Sequence, residues 1–247
     1  MTASRQPIPW TRVAAEGVVI VGSILLAFGI DAAWDGMKER SEESRLLASL
    51  AEDLRTSRLE AESVISHYEE TDRLLSRLQS LSDAALRADA PDSITAMVNA
   101  LASPRTFDPT LGTLEALISA GKMNVLSDPE LREALTSVRT MVDDAKEEEG
   151  YVTHFAIRVW EAEVAHGGPW QVDVRQIRPG GQPLTDLPFV PFASAEDALS
   201  LRKDRELMGM SRFTQLNGAM YAGEIRQIRA QLDSILTLIE NDSTYPE

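Results

Sequence analysis

Apolar positions along the chain fall into three long rhythms, separated by proline and glycine. No proline occurs between Pro9 and Pro91, and no glycine between Gly36 and Gly112. A stretch of this length without either breaker predicts one continuous helix ending between about Leu81 and Pro91. Leu47, Leu50, Leu54, Ala61, Val64, Tyr68, Leu75 and Leu78 recur in alternating three- and four-residue steps, with Ser57 and Thr71 as polar lapses. Leu46, Ile65, Leu74 and Leu81 widen the stripe beyond a two-stranded seam, as expected inside a bundle.

Shorter segments follow. Ile94, Met97, Val98 and Leu101 give a helical face over 92–103. Asp108-Pro109 reads as a side-chain cap before a first-turn proline, opening a helix with Leu111, Leu114, Leu117 and Ile118 that stops at Gly121. Asp128-Pro129-Glu130 repeats that start signal. The stripe after it, Leu131, Leu135, Val138, Val142, Val152, Phe155 and Val159, runs on to Gly167-Gly168, with Gly150 as a bend point. Residues 167–193 are rich in proline and glycine and read as an irregular loop. Within it 170–177, where Trp170, Val172 and Val174 alternate, is the one stretch resembling a strand. Ser194 and Asp197 have capping-box spacing. Tyr221, Ile225, Ile228, Leu232, Ile235 and Ile239 keep the rhythm in a final helix from about Asp204 to Glu240. Three long helices with one broad apolar face each must bury those faces against one another. The expected fold is all-α, an antiparallel long-helix bundle with short flanking helices.

The beginning of the chain has another pattern. Gly17 to Ile30 carries no charge, and its apolar residues surround the helix instead of lining one face. Trp10 and Trp34 bracket a helical length of about 35 Å, which suits a bilayer core with aromatic residues at both interfaces. Glu16, and the poor cleavage sequence Ile30-Asp31-Ala32-Ala33, argue against a cleaved signal peptide. The chain therefore divides into a tail (1–10), a transmembrane anchor in contact with lipid (11–34) and a helical domain (35–247). Ala15, Gly22, Gly29 and Gly36 recur every seven residues, and Ser23/Ala27 and Gly29/Ala33 are small-xxx-small pairs. Small residues let another helix approach closely in lipid, although glycine is common in membrane helices generally. Arg5 and Arg12 before the anchor nearly balance Lys38, Arg40 and Arg45 after it, so charge alone does not choose the side.

Composition narrows the function. The chain has 247 residues and a formal net charge of −15. Arg5, Arg12, Glu16 and Asp31 cancel over residues 1–34, so the whole excess lies on the helical domain, which phosphate backbones would repel. No nucleic-acid partner is expected. There is no cysteine, which removes disulfides, thiolate metal sites and cysteine nucleophiles. Only His67, His154 and His166 are present. Glu163 and His166 match Glu-x-x-His, but a di-iron bundle needs two such elements and two more carboxylates. The acidic run from Asp143 to Glu149 lacks the ligand spacing and turn glycine of a calcium loop. No phosphate-binding glycine loop or nucleophile elbow occurs. Neither a cofactor nor an enzymatic activity is expected. Trp170, Phe189 and Phe192 in the loop are either core plugs or a docking arm, and the usual burial of large aromatics favours plugs.

The run from Glu16 to Asp31 with Trp34, then Leu50-Ala51-Glu52-Asp53-Leu54, Leu114 to Lys122, Asn124-Val125-Leu126 and Glu130-Leu131-Arg132, resembles the start of a bacterial family of small membrane-anchored proteins of unknown function. The similarity covers roughly the first 140 residues. It implies an inner-membrane, single-pass protein with its tail inside and its helical domain on the periplasmic side. The family supplies no catalytic residues. Together these readings predict a non-catalytic accessory or stabilising subunit of a larger membrane complex, for example photosynthetic or respiratory, with other membrane subunits as partners. A single-pass sensor or ligand-binding domain is the alternative, and a membrane-tethered hydrolase ranks third.

Overall fold

The computed structural model describes the backbone of residues 10–165 and 194–243, with side chains over 21–162 and 194–241. Among these residues every regular element is helical. The helices are α1 (Trp10–Ser80), α2 (Asp83–Arg87), α3 (Pro91–Asn99), α4 (Gly112–Ser119), α5 (Pro129–Ala165), α6 (Ala195–Lys203) and α7 (Arg205–Ser243). The breaker-free stretch is indeed one helix of 71 residues. Helix α5 passes through Gly150 without interruption.

Helix α7 is the central element, packed along both α1 and α5. Gln79 donates to Ser211 near one end of the α1–α7 pair, and Arg55 pairs with Glu240 near the other. These contacts make α7 antiparallel to α1. Phe155 against Phe213 and Gln231 to the Ala134 carbonyl make it antiparallel to α5 as well. The predicted antiparallel bundle of long helices is therefore present. Each helix contributes one seam. On α1 every position of the predicted rhythm is buried, Ser57 and Thr71 included. On α7 the seam continues upstream of Tyr221 through Gly218, Thr214, Ser211 and Leu207, all buried. On α5 it runs 131, 135, 138, 142, 145, then past 149 to 152, 156 and 159. Ala156, not Phe155, holds the seam position there, and Phe155 is half-buried at the edge.

The segment between α3 and α5 lies beside α1 and α5 and closes the core from that side. Here the expectation over 108–121 is corrected: Asp108-Pro109 does not start a helix, and α4 begins only at Gly112. Side chains of α1 bind the backbone of this segment. Ser57 donates to the Thr110 carbonyl at 3.0 Å, and Glu60 accepts from the Asp108 amide at 3.1 Å. Asp53 accepts from the Thr113 amide at 2.9 Å. Asp53 thus caps α4 from another helix, which displaces Asp108 from that role. The other signals hold. Asp128 accepts from the Glu130 amide, Ser194 and Asp197 form a full capping box, and Asp204 accepts from the Glu206 and Leu207 amides. Gly121, at φ +64°, ends α4 in the left-handed conformation that glycine adopts without penalty.

Candidate functional site

The described residues contain three features able to do chemistry or recognition: a polar layer inside the bundle, a cleft at its far end, and the uncovered first part of α1.

The polar layer sits where the seams of α1, α5 and α7 each place a polar residue. The Tyr221 hydroxyl donates to Glu149 Oε2 at 2.9 Å and accepts from the Phe107 amide at 2.9 Å. The same carboxylate oxygen lies 3.3 Å from that amide. Tyr68 packs edge-on against Tyr221, with centroids 5.6 Å apart. It donates to the Arg105 carbonyl at 2.9 Å and accepts from the Arg105 amide at 3.1 Å. His67 Nε2 lies 2.6 Å from the Ser103 carbonyl. Burial, with the Glu149 charge adding, pushes the Tyr68 phenol up to about 12. Burial first, then the hydrogen bond to Glu149 and its charge, raises Tyr221 as well. Both phenols therefore stay protonated and serve as donors at neutral pH. No activated nucleophile results. The layer ties 103–107 to the three long helices and fixes their register, because any slip would strand buried polar groups. A glycine makes this fit possible. A Cβ on Gly218 would stand 2.7 Å from Tyr68 Cδ1.

At the end of the bundle farthest from the start of α1, a shallow open cleft of about 340 Å³ lies between α5 and α7. Phe155 and Phe213 form its wall as parallel rings, centroids 5.3 Å apart. His154, Arg158, Arg205 and Glu206 supply its polar edge.

The first part of α1 is bare. From Val21 to Leu46 no side chain is buried, and Leu47 is the first that is. Leu26 is 67% exposed, Phe28 66% and Trp34 67%. Val21, Ile24, Leu25, Ile30 and Met37 are exposed as well. Among the described residues no helix is long and apolar enough to cross a membrane. The uncharged run begins at Gly17, upstream of Val21, the first described side chain.

The sequence-predicted site residues separate accordingly. Gly22, Ser23, Ala27, Gly29, Ala33 and Gly36 lie on the bare part of α1, and open space surrounds the Cβ directions of the three glycines. Trp34 projects from the same stretch. The side chains of Trp10 and Ala15, and all of Trp170, Phe189 and Phe192, lie outside the described residues, as do His166 and the Glu163 side chain. His67 and His154 belong to different features, one in the polar layer and one at the cleft. Among the described residues no group of three histidines or carboxylates could hold a metal ion. Glu149 and Gly218 were not singled out from the sequence. The signal for Glu149 was legible: continuing 131, 135, 138, 142, 145 by one step places a carboxylate on the buried seam. Compared with known proteins, the chain matches no protein-family model, no curated protein and no solved structure.

Proposed function

We propose that the protein is a non-catalytic, single-pass membrane subunit that stabilises a larger membrane assembly. The observation that carries this reading is the bare stretch of α1. Eight large apolar side chains between Val21 and Met37 stand in the open around a helix that continues unbroken into the folded domain. Covering a large aliphatic or aromatic side chain is worth about 1.5–3 kcal/mol, and an uncovered helix of this kind has little stability of its own in water. Lipid covers such a surface on all sides, whereas a single protein face covers one stripe. The uncharged run from Gly17 to Ile30 lies between the two tryptophans, with Arg12, Glu16 and Asp31 at its edges.

The small-residue row Ala15, Gly22, Gly29 and Gly36, with Ser23, Ala27 and Ala33 beside it, is where another membrane helix docks. The acidic bundle stands off the bilayer on its continuous helix. From Leu47 to Ser80 that helix is about 50 Å long. The polar layer serves the rigidity of this stalk rather than chemistry. The bundle lies on the periplasmic side of a bacterial inner membrane with the tail inside, a reading supported by the resemblance of the Glu16–Asp31 run to the starts of membrane-anchored bacterial proteins.

Purification of the full chain from native membranes in mild detergent tests the assembly role. A co-migrating set of membrane subunits is expected, and a protein running alone at its own mass refutes the proposal. Orientation is tested separately. The natural chain lacks cysteine, so a single cysteine at exposed Glu62 reports its side through a membrane-impermeant maleimide.

A further inference from the structure

The buried apolar side chains of the bundle form two clusters, not one. The proximal cluster takes in Leu47 to Tyr68 on α1, Leu131 to Val152 on α5 and Tyr221 to Ile239 on α7, with Phe107 to Leu126 beside them. The distal cluster, at the end farthest from the start of α1, gathers Leu75, Leu78, Met97, Leu101, Val159 and Leu207. Between the two, each long helix carries only small or polar residues on its buried seam. These are Thr71 on α1, Ala156 on α5, and Ser211, Thr214 and Gly218 on α7.

Little holds the two clusters together across this waist. Thr214 Oγ1 is buried with no hydrogen-bond partner. Gln215 donates to Asp72 at 2.8 Å, but at the exposed rim, and Gln79 reaches Ser211 only at 3.4 Å. The large apolar pair at this level, Phe155 on Phe213, stacks at the open edge of the cleft. Each side, by contrast, is tied within itself. On the distal side Arg202 of α6 donates to the Leu81 carbonyl and to Asp83. Arg87 of α2 pairs with Glu196 of α6 at 2.8 Å, and Trp160 of α5 donates to the Ala102 carbonyl at 2.9 Å. On the proximal side the Tyr68 and Tyr221 hydroxyls pin Arg105 and Phe107. Dispersion contacts between large side chains make neighbouring parts of a core cooperative, and regions poor in them open separately.

We propose that the distal end of the bundle opens as a cooperative unit of its own while the proximal bundle stays folded. The unit comprises α2, α3, α6 and the adjoining ends of α1, α5 and α7, and the waist is its boundary. The topology permits this. Helix α1 ends at Ser80, α5 ends at Ala165 and α7 begins at Arg205, so the opening unwinds helix ends and leaves the middle of each long helix intact. The protein thus carries a tip that opens and closes on a standing stalk. The inference is independent of the assembly role proposed above.

Hydrogen exchange of the full chain in detergent, read by mass spectrometry at rising sub-denaturing urea, tests it. Amides of 94–101, 198–203 and 207–210 are expected to exchange as one class, at least about tenfold faster than those of 50–65, 135–145 and 225–236. Ile228→Val, within the proximal cluster, speeds the slow class about two- to tenfold and leaves the fast class unchanged, because the distal opening does not disturb residue 228. Thr214→Val replaces the unpaired hydroxyl with a methyl group and slows the fast class about tenfold. One exchange class for the whole bundle overturns the proposal, as do distal amides that exchange independently of one another. An Ile228→Val effect of equal size on both classes overturns it too, and so does distal exchange unmoved by Thr214→Val.

Discussion

Residues 47–80 and residues 21–46 lie on one unbroken helix and treat their apolar side chains in opposite ways. In the first stretch Leu50, Leu54, Val64, Leu75 and Leu78 are fully buried on one stripe. In the second, Leu25, Leu26, Phe28 and Ile30 point in every direction and none is buried. Helix propensity alone does not distinguish the two, because both are helical. The difference is angular. A stripe is satisfied by two neighbouring helices, whereas a full circumference needs a continuous apolar surround. The two stretches should therefore fail independently.

The largest expected effect is on the bare stretch. In Leu25→Arg/Phe28→Arg, each arginine costs about 2.5–3.5 kcal/mol in the middle of a membrane helix. More than a hundredfold loss of membrane retention is expected in alkaline extraction, with the melting temperature of the bundle unchanged. A double variant that stays in the membrane pellet breaks the comparison. The reciprocal change is Leu54→Ala, which removes about 2–5 kcal/mol of stability through lost burial and a cavity. Thermal melts should fall by about 5–15 °C, with membrane retention as in the wild type.

Gly218→Ala sharpens the account of the polar layer. Alanine in a helix is favoured over glycine by about 1 kcal/mol, but its Cβ would collide with the Tyr68 ring, and overpacking costs about 1–3 kcal/mol. A net loss of stability is expected in the wild-type background and a gain in Tyr68→Ala, measured as a double-mutant cycle in urea. The same sign in both backgrounds would remove the steric explanation.

The smallest effect concerns Glu224. Burial first, then the charges of Glu148, Asp144 and Glu147, hold its carboxyl above the ordinary value of 4.5. A carboxyl raised in the folded state binds its proton more tightly there than in the unfolded chain. Its favourable contribution is therefore complete below pH 4.5 and is lost as pH rises through the folded value. Glu224→Gln should raise the melting temperature at pH 7 by about 1–2 °C. The gain should shrink in high salt and vanish below pH 4.5. A gain independent of pH would point to packing instead of charge.

Much of this was written locally. The spacing of Leu47 through Leu78 specified a buried stripe, and it correctly included Ser57 and Thr71, since periodicity depends on position and not on polarity. Asp128-Pro129, Ser194 with Asp197, and Gly121 marked helix ends because caps act within a few residues. The uncharged run set off the start of the chain from the domain. Only the tertiary structure decided the rest. Asp108-Pro109 has every local sign of a helix start, yet Asp53, Ser57 and Glu60, about fifty residues away, bind the backbone of 108–113 and move the start to Gly112. Phe155 and Ala156 compete for one seam position, and the neighbouring Phe213 ring draws Phe155 to the edge. The hydrogen bond of Tyr221 to Glu149, across a separation of 72 residues, follows from which helix lies in the middle. Sequence rhythm fixes the angle of each face about its own axis. Which neighbour meets that face depends on contacts between parts of the chain tens of residues apart, which the local pattern does not encode.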